Sequence, residues 1–309
     1  MQYILALFIF CIVLFVYLHI NYHLKTSDDL EIFEIEQPSK NELEDICDLR
    51  QPVKFTYKNH KISSNLTKES MHSTYKAFDV KIRDVSEISN QDDILYVPLT
   101  LEKSLDLVSK DAESKYIIEN NTDFLEETAL IKEFQMSDDF LRPPMVSNCV
   151  YDVCYASEGA TTPLRYDMNY RNFYYLVEGE INIIIIPPRC TKYLREEKDY
   201  ENYEFRSPMN PWDIQDIYKN EYDKTKSLEV TIKAGEIFYI PAYWWYSIKY
   251  KNSSTLCTLK YMTYMNMITI FPHMMMRVLQ TQNIKLQRAK VSKLVKKEET
   301  NQEKSENTQ

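Results

Sequence analysis

Tyr3 to Ile20 is a run of eighteen residues without formal charge, broken only by His19, and wound as a helix it presents no polar face. At 1.5 Å per residue such a helix is about 27 Å long, enough to cross a thin bilayer. A cleaved signal peptide would want a basic start, a shorter apolar core and a small-residue cleavage site. Only Met1-Gln2 precedes the run, and Asn21-Tyr-His-Leu-Lys25 offers no such site. The pattern predicts an uncleaved, single-pass membrane anchor over residues 1–24, with residues 3–20 in the lipid. Lys25 is the one nearby base, so charge assigns no orientation.

The pattern changes at once. Asp28 to Asp48 holds nine acids and one base, Lys40, which predicts a solvated acidic spacer over residues 25–49. Within it Ser39-Lys-Asn-Glu42 fits a capping box, so a short helix is expected from about Lys40 to Cys47. Arg50-Gln-Pro-Val-Lys-Phe55 opens the globular part, and Leu101, Leu105 and Val108 recur at helical spacing before Lys110. Beyond Arg142-Pro-Pro144 the chain reads as strand after strand. Leu228, Val230 and Ile232 alternate with Glu229, Thr231 and Lys233, the period-two mark of a half-buried strand. Ala234-Gly235-Glu236 turns the chain into Ile237-Phe-Tyr-Ile240. Asn182 aside, Ile181 to Ile186 is continuously apolar, as in a strand covered on both faces. Short strands between turns predict a mainly β domain over residues 50–272, a double-stranded β-helix or jelly roll with flanking helices. Asn210 to Lys226 reads as an insertion.

After Phe271-Pro272 the period becomes helical. Arg277 to Lys297 carries seven bases and no acid, with Val278, Ile284, Val291 and Leu294 as a thin apolar stripe. A basic helix over 273–297 has three readings: a solvated brace for the barrel, a dimerising helix, or a helix against anionic lipid. Residues 298–309 are polar and predicted to be disordered.

Composition narrows the field. A chain of 309 residues can bury one large core, and its net charge of −9 argues against nucleic acid as the main partner. The six cysteines form no CxxC pair, which favours free thiols over a disulfide framework.

The candidate chemistry sits in Thr161-Thr-Pro-Leu-Arg-Tyr-Asp167, Asn172-Phe-Tyr-Tyr-Leu-Val-Glu-Gly179 and Ile240-Pro-Ala-Tyr-Trp-Trp-Tyr246. In that order, with Lys233-Ala-Gly-Glu236 before the last, these segments resemble the JmjC/cupin-like (cupin-8 type) family of Fe(II)- and 2-oxoglutarate-dependent oxygenases. The resemblance implies a metal held by His-x-Asp on one strand and a distant His on another. This chain has Arg165-Tyr166-Asp167 and Tyr246 at those positions. Arginine has no free lone pair and stays protonated, and a tyrosine must lose a proton from a pKa near 10 to bind metal. The resemblance also implies a lysine, two residues after the glycine, that pairs with 2-oxoglutarate. Here Ile181 stands in that place. Thr162 and Asn172 match pocket-lining positions, and the equivalent on the last strand falls at Lys260 or Tyr261.

Arg165 and Asp167 are two apart on a strand and share a face, so an Arg165–Asp167 ion pair beside the Tyr246 hydroxyl is expected in place of the metal. No cofactor and no catalytic residue are expected. Phe173-Tyr-Tyr175 and Trp244-Trp245 read as core, and Asn169-Tyr-Arg171, at the barrel mouth, as a protein-partner contact. The first reading is a membrane-anchored, catalytically degenerate cupin-like protein with a binding or scaffold role. A divergent protein hydroxylase or demethylase and a purely structural membrane protein are the alternatives. Related hydroxylases add a homodimer through the C-terminal helix.

Overall fold

The computed structural model of the protein describes residues 2–85 and 96–283. Helix α1 (Gln2–Leu24) is long and apolar enough to cross a membrane, and its apolar stretch is not buried against the other described residues. The acidic segment departs from the solvated spacer expected of it. It forms strand β1 (Phe33–Ile35), which pairs in parallel with β2 (Val53–Thr56), and helix α2 (Lys40–Asp48). The capping box is present: the Glu42 amide donates to the Ser39 hydroxyl, and the Ser39 amide donates to Glu42 at 2.7 Å. Leu43 and Cys47, four apart on one face, are fully buried. Apolar burial at that spacing outweighs the high charge of the segment, because the acids lie on the other face.

Helices α3 (His60–Asn65), α4 (Lys68–Tyr75) and α5 (Leu101–Lys110) precede the barrel, with β3 (Asp79–Asp84), β4 (Val97–Thr100) and β5 (Tyr116–Ile118) among them. Helices α6 (Thr122–Glu127) and α7 (Ile131–Ser137) follow. The barrel strands are β6 (Val146–Ala156), β7 (Arg165–Tyr166), β8 (Arg171–Glu178) and β9 (Glu180–Ile186). Then come β10 (Glu197–Asp199), β11 (Glu204–Arg206), the one-turn α8 (Lys219–Tyr222), β12 (Leu228–Lys233), β13 (Glu236–Pro241), β14 (Trp245–Tyr250) and β15 (Ser254–Thr263). Residues 264–283 are helical, so the last helix begins nine residues earlier than the sequence pattern indicated. The basic stretch from Ile284 on and the polar tail lie outside the described residues.

Two sheets face each other. The larger runs β1-β2-β13-β8-β15-β6-β5-β3-β4 and the smaller β10-β11-β7-β14-β9-β12. The chain crosses between sheets at every step from β6 to β9 and again at every step from β12 to β15, which is the path of a double-stranded β-helix. Period-two alternation sets the layers. Tyr174, Leu176, Phe238 and Ile240 point between the sheets, where they meet Ile181, Ile183, Ile185 and Trp244. Their neighbours Phe173, Tyr175, Ile237 and Tyr239 point outward beneath the helices, against Leu43, Leu105 and Phe134. Strands covered on both faces lose the polar alternation of an exposed sheet, which is why these runs read as uniformly apolar. Gly179 turns β8 into β9 at φ +88°, and a Cβ there would collide with Ser254 and its preceding carbonyl.

Candidate functional site

Strand β7 is two residues long and sits between β11 and β14, so its side chains are placed by both neighbours. Arg165 is the direct cross-strand partner of Tyr246, and its guanidinium lies 5.7 Å from the centre of that ring. Asp167 follows the strand and is fixed through its carbonyl, which accepts from the Tyr243 amide at 2.8 Å. The three positions that match metal ligands therefore do converge. They line a cleft of about 370 Å³ between the sheets, with Glu119, Tyr174 and Lys260.

The pairing inside the cleft differs from the expected Arg165–Asp167 bond. Asp167 pairs with Lys260 of β15, whose Nζ lies 2.8 Å from Oδ2 and 2.9 Å from Oδ1. The Tyr174 hydroxyl donates to Oδ2 at 2.8 Å and the Tyr246 hydroxyl at 2.9 Å. Arg165 turns instead to Glu119 at 2.8 Å and Glu204 at 3.0 Å. Arg83 from β3 reaches the same two carboxylates, at 3.3 Å to Glu204 and closer still to Glu119. Two guanidiniums and two glutamates thus form a closed ring, with Arg83 wholly buried and Glu119 only 5 % exposed. The physical reason is the geometry of the donor: Arg165 has a planar fork that two carboxylates, Glu119 and Glu204, satisfy together, while Asp167 has its own cation in Lys260.

The charges balance at three cations (Arg83, Arg165, Lys260) against three anions (Glu119, Glu204, Asp167). Burial alone would raise the Glu119 carboxyl, but Arg165 and Arg83 outweigh it and hold it down at about 2. The same opposition lowers Glu204, through Arg83 and Arg165, and Asp167, through Lys260. Burial pushes the Tyr246 phenol up, so it stays protonated and donates. Asp152, at the edge of the cleft, behaves differently: burial raises it to about 6 although the Asn121 and Asn120 amides donate to it.

Of the positions matched to a cosubstrate pocket, Lys260 lies in the cleft, while Ile181, Thr162 and Asn172 lie elsewhere. Ile181 is packed in the apolar core between the sheets. The Thr162 hydroxyl accepts from the Ile248 amide at 2.8 Å, and the Asn172 amide group donates to the Ile240 carbonyl at 3.2 Å. Both serve the barrel wall. Asn169-Tyr-Arg171, expected to meet a partner, is largely taken up within the chain: Arg171 is buried and pairs with Glu44 at 2.7 Å and Asp48 at 3.2 Å on α2. Tyr170 packs against His23 of α1. The residues that sequence reasoning missed are Arg83, Glu119 and Glu204. Only Glu119 carried a signal, a lone charge beside the apolar Ile117-Ile118; Arg83 and Glu204 stand among other charges in Asp79-Val-Lys-Ile-Arg-Asp84 and Glu204-Phe-Arg206. Tyr174, read as core, also proves to be a donor in the cleft.

Among the described residues no three His, Cys, Asp or Glu side chains are grouped so as to hold a metal ion. All six cysteines are free. The sequence profile of the cupin-like domain matches residues 30–267. The chain belongs to the cupin-like domain family. The match spans both sheets and begins before β1, so the acidic segment falls inside the cupin-like domain together with the barrel. No curated protein matches the chain.

Proposed function

We propose that this cupin-like protein is a membrane-anchored binding or scaffold module whose barrel holds an ion-paired centre where an oxygenase of its family would hold iron. One observation carries the reading: the Asp167 carboxylate is already paired with the Lys260 ammonium and bonded by the Tyr174 and Tyr246 hydroxyls. Ferrous iron in this kind of site needs two imidazoles and a free carboxylate. Here the metal would have to displace an ammonium and leave it unpaired in a buried place, next to an arginine that cannot ligate. The residues present do not fit ferrous iron. They do not fit 2-oxoglutarate at the family's lysine position either, since Ile181 offers no charge to a dianion. Anchoring rests on α1, whose apolar surface has no partner among the described residues.

The test is an anaerobic titration of full-length protein in detergent with iron(II) and 2-oxoglutarate. The expected outcome is no stoichiometric metal binding and no succinate on admission of oxygen. Succinate coupled to oxidation of a peptide would establish the oxygenase reading instead. Flotation with vesicles, lost on deletion of residues 2–24, tests the anchor.

A further inference from the structure

The helix over residues 264–283 exposes apolar side chains along one face. Tyr264, Ile268, Phe271, Met275 and Val278 recur every three or four residues, with Leu279 beside the last, and each is between 43 and 58 % exposed. The opposite face is the one that folds onto the barrel, through Asn266, Ile270 and Met274. A soluble surface helix shows the reverse arrangement of its free face, so the stripe calls for an occupant.

The start of this helix is tied to the end of α1. His23 Nε2 lies 3.2 Å from the Thr263 hydroxyl, and its ring is 5.1 Å from that of Tyr170. The Arg50 guanidinium lies over both Tyr22 and Tyr170, at 5.3 and 4.5 Å from the ring centres. Where α1 leaves the bilayer, the apolar stripe begins. The sequence that follows, residues 284–297, carries six bases and no acid, the charge that anionic headgroups attract.

We propose that helix 264–283 is a second membrane contact, lying in the bilayer interface with its stripe in the lipid. The inference rests on α1 being an anchor, since the shared boundary is what selects lipid over a second copy of the chain. It also sets the mouth of the cleft toward the headgroups. Asn169 and Met262, which line the cleft, adjoin Tyr170 and Thr263, which hold the anchor.

Full-length protein in vesicles of phosphatidylcholine and phosphatidylserine, with bromine on the acyl chains, provides the test. Three variants each add one tryptophan: Phe10→Trp in α1, Phe271→Trp in the stripe, and Asn252→Trp in the bend two residues before β15, about 30 Å or more from Thr263. Trp244 and Trp245 are buried and form a constant background with Trp212. Brominated lipid should cut the added emission of Phe271→Trp and Phe10→Trp by about half or more while sparing Asn252→Trp. If Phe10→Trp is quenched and Phe271→Trp is as bright as Asn252→Trp, the interfacial helix is wrong and the anchor stands. If Phe10→Trp itself escapes quenching, both readings fall. A stripe that binds a second copy would leave Phe271→Trp unquenched and shift its emission to the blue as the protein-to-lipid ratio rises, which also overturns the proposal.

Discussion

Glu119 is the residue on which the buried ring of charge depends, and replacing it with glutamine isolates its contribution. Glu119→Gln keeps the shape and removes one negative charge from between Arg83 and Arg165. Those two guanidiniums hold the carboxyl at about 2 rather than its ordinary 4.5. The difference corresponds to about 3 kcal/mol of stability at pH 7. That is a lower bound for the variant, because the new NH₂ group must also face a guanidinium. The direction with pH follows from the depressed value. A carboxyl lowered by folding stabilises the fold fully above its unfolded pKa, and the contribution is lost as pH falls through the folded one. The gap between wild type and Glu119→Gln should therefore be full above about pH 5 and drop to less than about half by pH 3. Asp152 works in the opposite direction, since its carboxyl is raised to about 6 and its contribution fades as pH rises. Because Glu119 is one cause of that rise, the comparison is made with Asp152→Asn in both proteins, which removes it from the difference.

The assay is equilibrium unfolding of the full chain in detergent at a series of pH values, read from Trp244 and Trp245, which are buried in the barrel. A cost below about 1 kcal/mol at pH 7, or a gap that does not change between pH 7 and pH 3, would refute the claim that the ring is a paired electrostatic unit. The first result would mean that water screens the site. The second would mean that shape, not charge, is what the substitution disturbs.

Lys260→Met should cost about 3 kcal/mol or more by the same assay, because it leaves Asp167 buried with two phenols and no cation bonded to it, and adding Asp167→Asn should recover most of the loss. Gly179→Ala and Gly235→Ala both place a side chain at positive φ, at about 1–2 kcal/mol each, but only Gly179 has a wall beside it, at Ser253 and Ser254. Thermal unfolding should therefore show Gly179→Ala clearly lower, and equal melting points would show that the β8–β9 turn yields. Arg171→Met removes the cation that Glu44 and Asp48 share; hydrogen exchange across residues 40–48 should rise about tenfold or more while the barrel strands stay protected.

Elements whose cause is local were legible before any coordinates. The capping box set the start of α2, Leu101, Leu105 and Val108 located α5, and strict alternation located β12, all within a residue or two of the structure. The jelly roll followed from the succession of strands. What eluded the pattern is non-local. Arg83, Glu119 and Glu204 lie on β3, just beyond β5 and on β11, so no spacing in the chain relates them, and only the order of strands in two sheets brings them together. The acidic segment misled for another reason: nine acids drew attention from Leu43, Ile46 and Cys47, whose i, i+3, i+4 spacing is that of a buried face. Lys260 was within reach. Tyr261 shares its face with Leu259 and Cys257 under the helices, so parity alone sends Lys260 inward with Leu256.

The substitutions at the barrel centre make sense only as a set. Where a metal is held, a buried aspartate has a divalent cation beside it. A barrel that keeps Asp167 without one needs another positive group, and Lys260 supplies it at 2.8 Å. Arg165 then adds a second permanent charge beyond the one that Asp167 balances, and it is tolerable only because Glu204 reaches it from β11 and Glu119 from just beyond β5. Those glutamates in turn are one charge too many, and Arg83 restores neutrality. Each group answers an imbalance left by the one before, so partial reversion cannot recreate a metal site. Arg165→His with Tyr246→His leaves the Lys260 ammonium on Asp167 and two glutamates facing Arg83 alone. Replacing Lys260 as well frees the carboxylate. On this reasoning iron affinity, measured anaerobically, should be absent in the double variant and appear only when Lys260→Ala is added. Metal binding by the double variant would show that the Lys260–Asp167 pair is a loose occupant of the site rather than the group that keeps it closed.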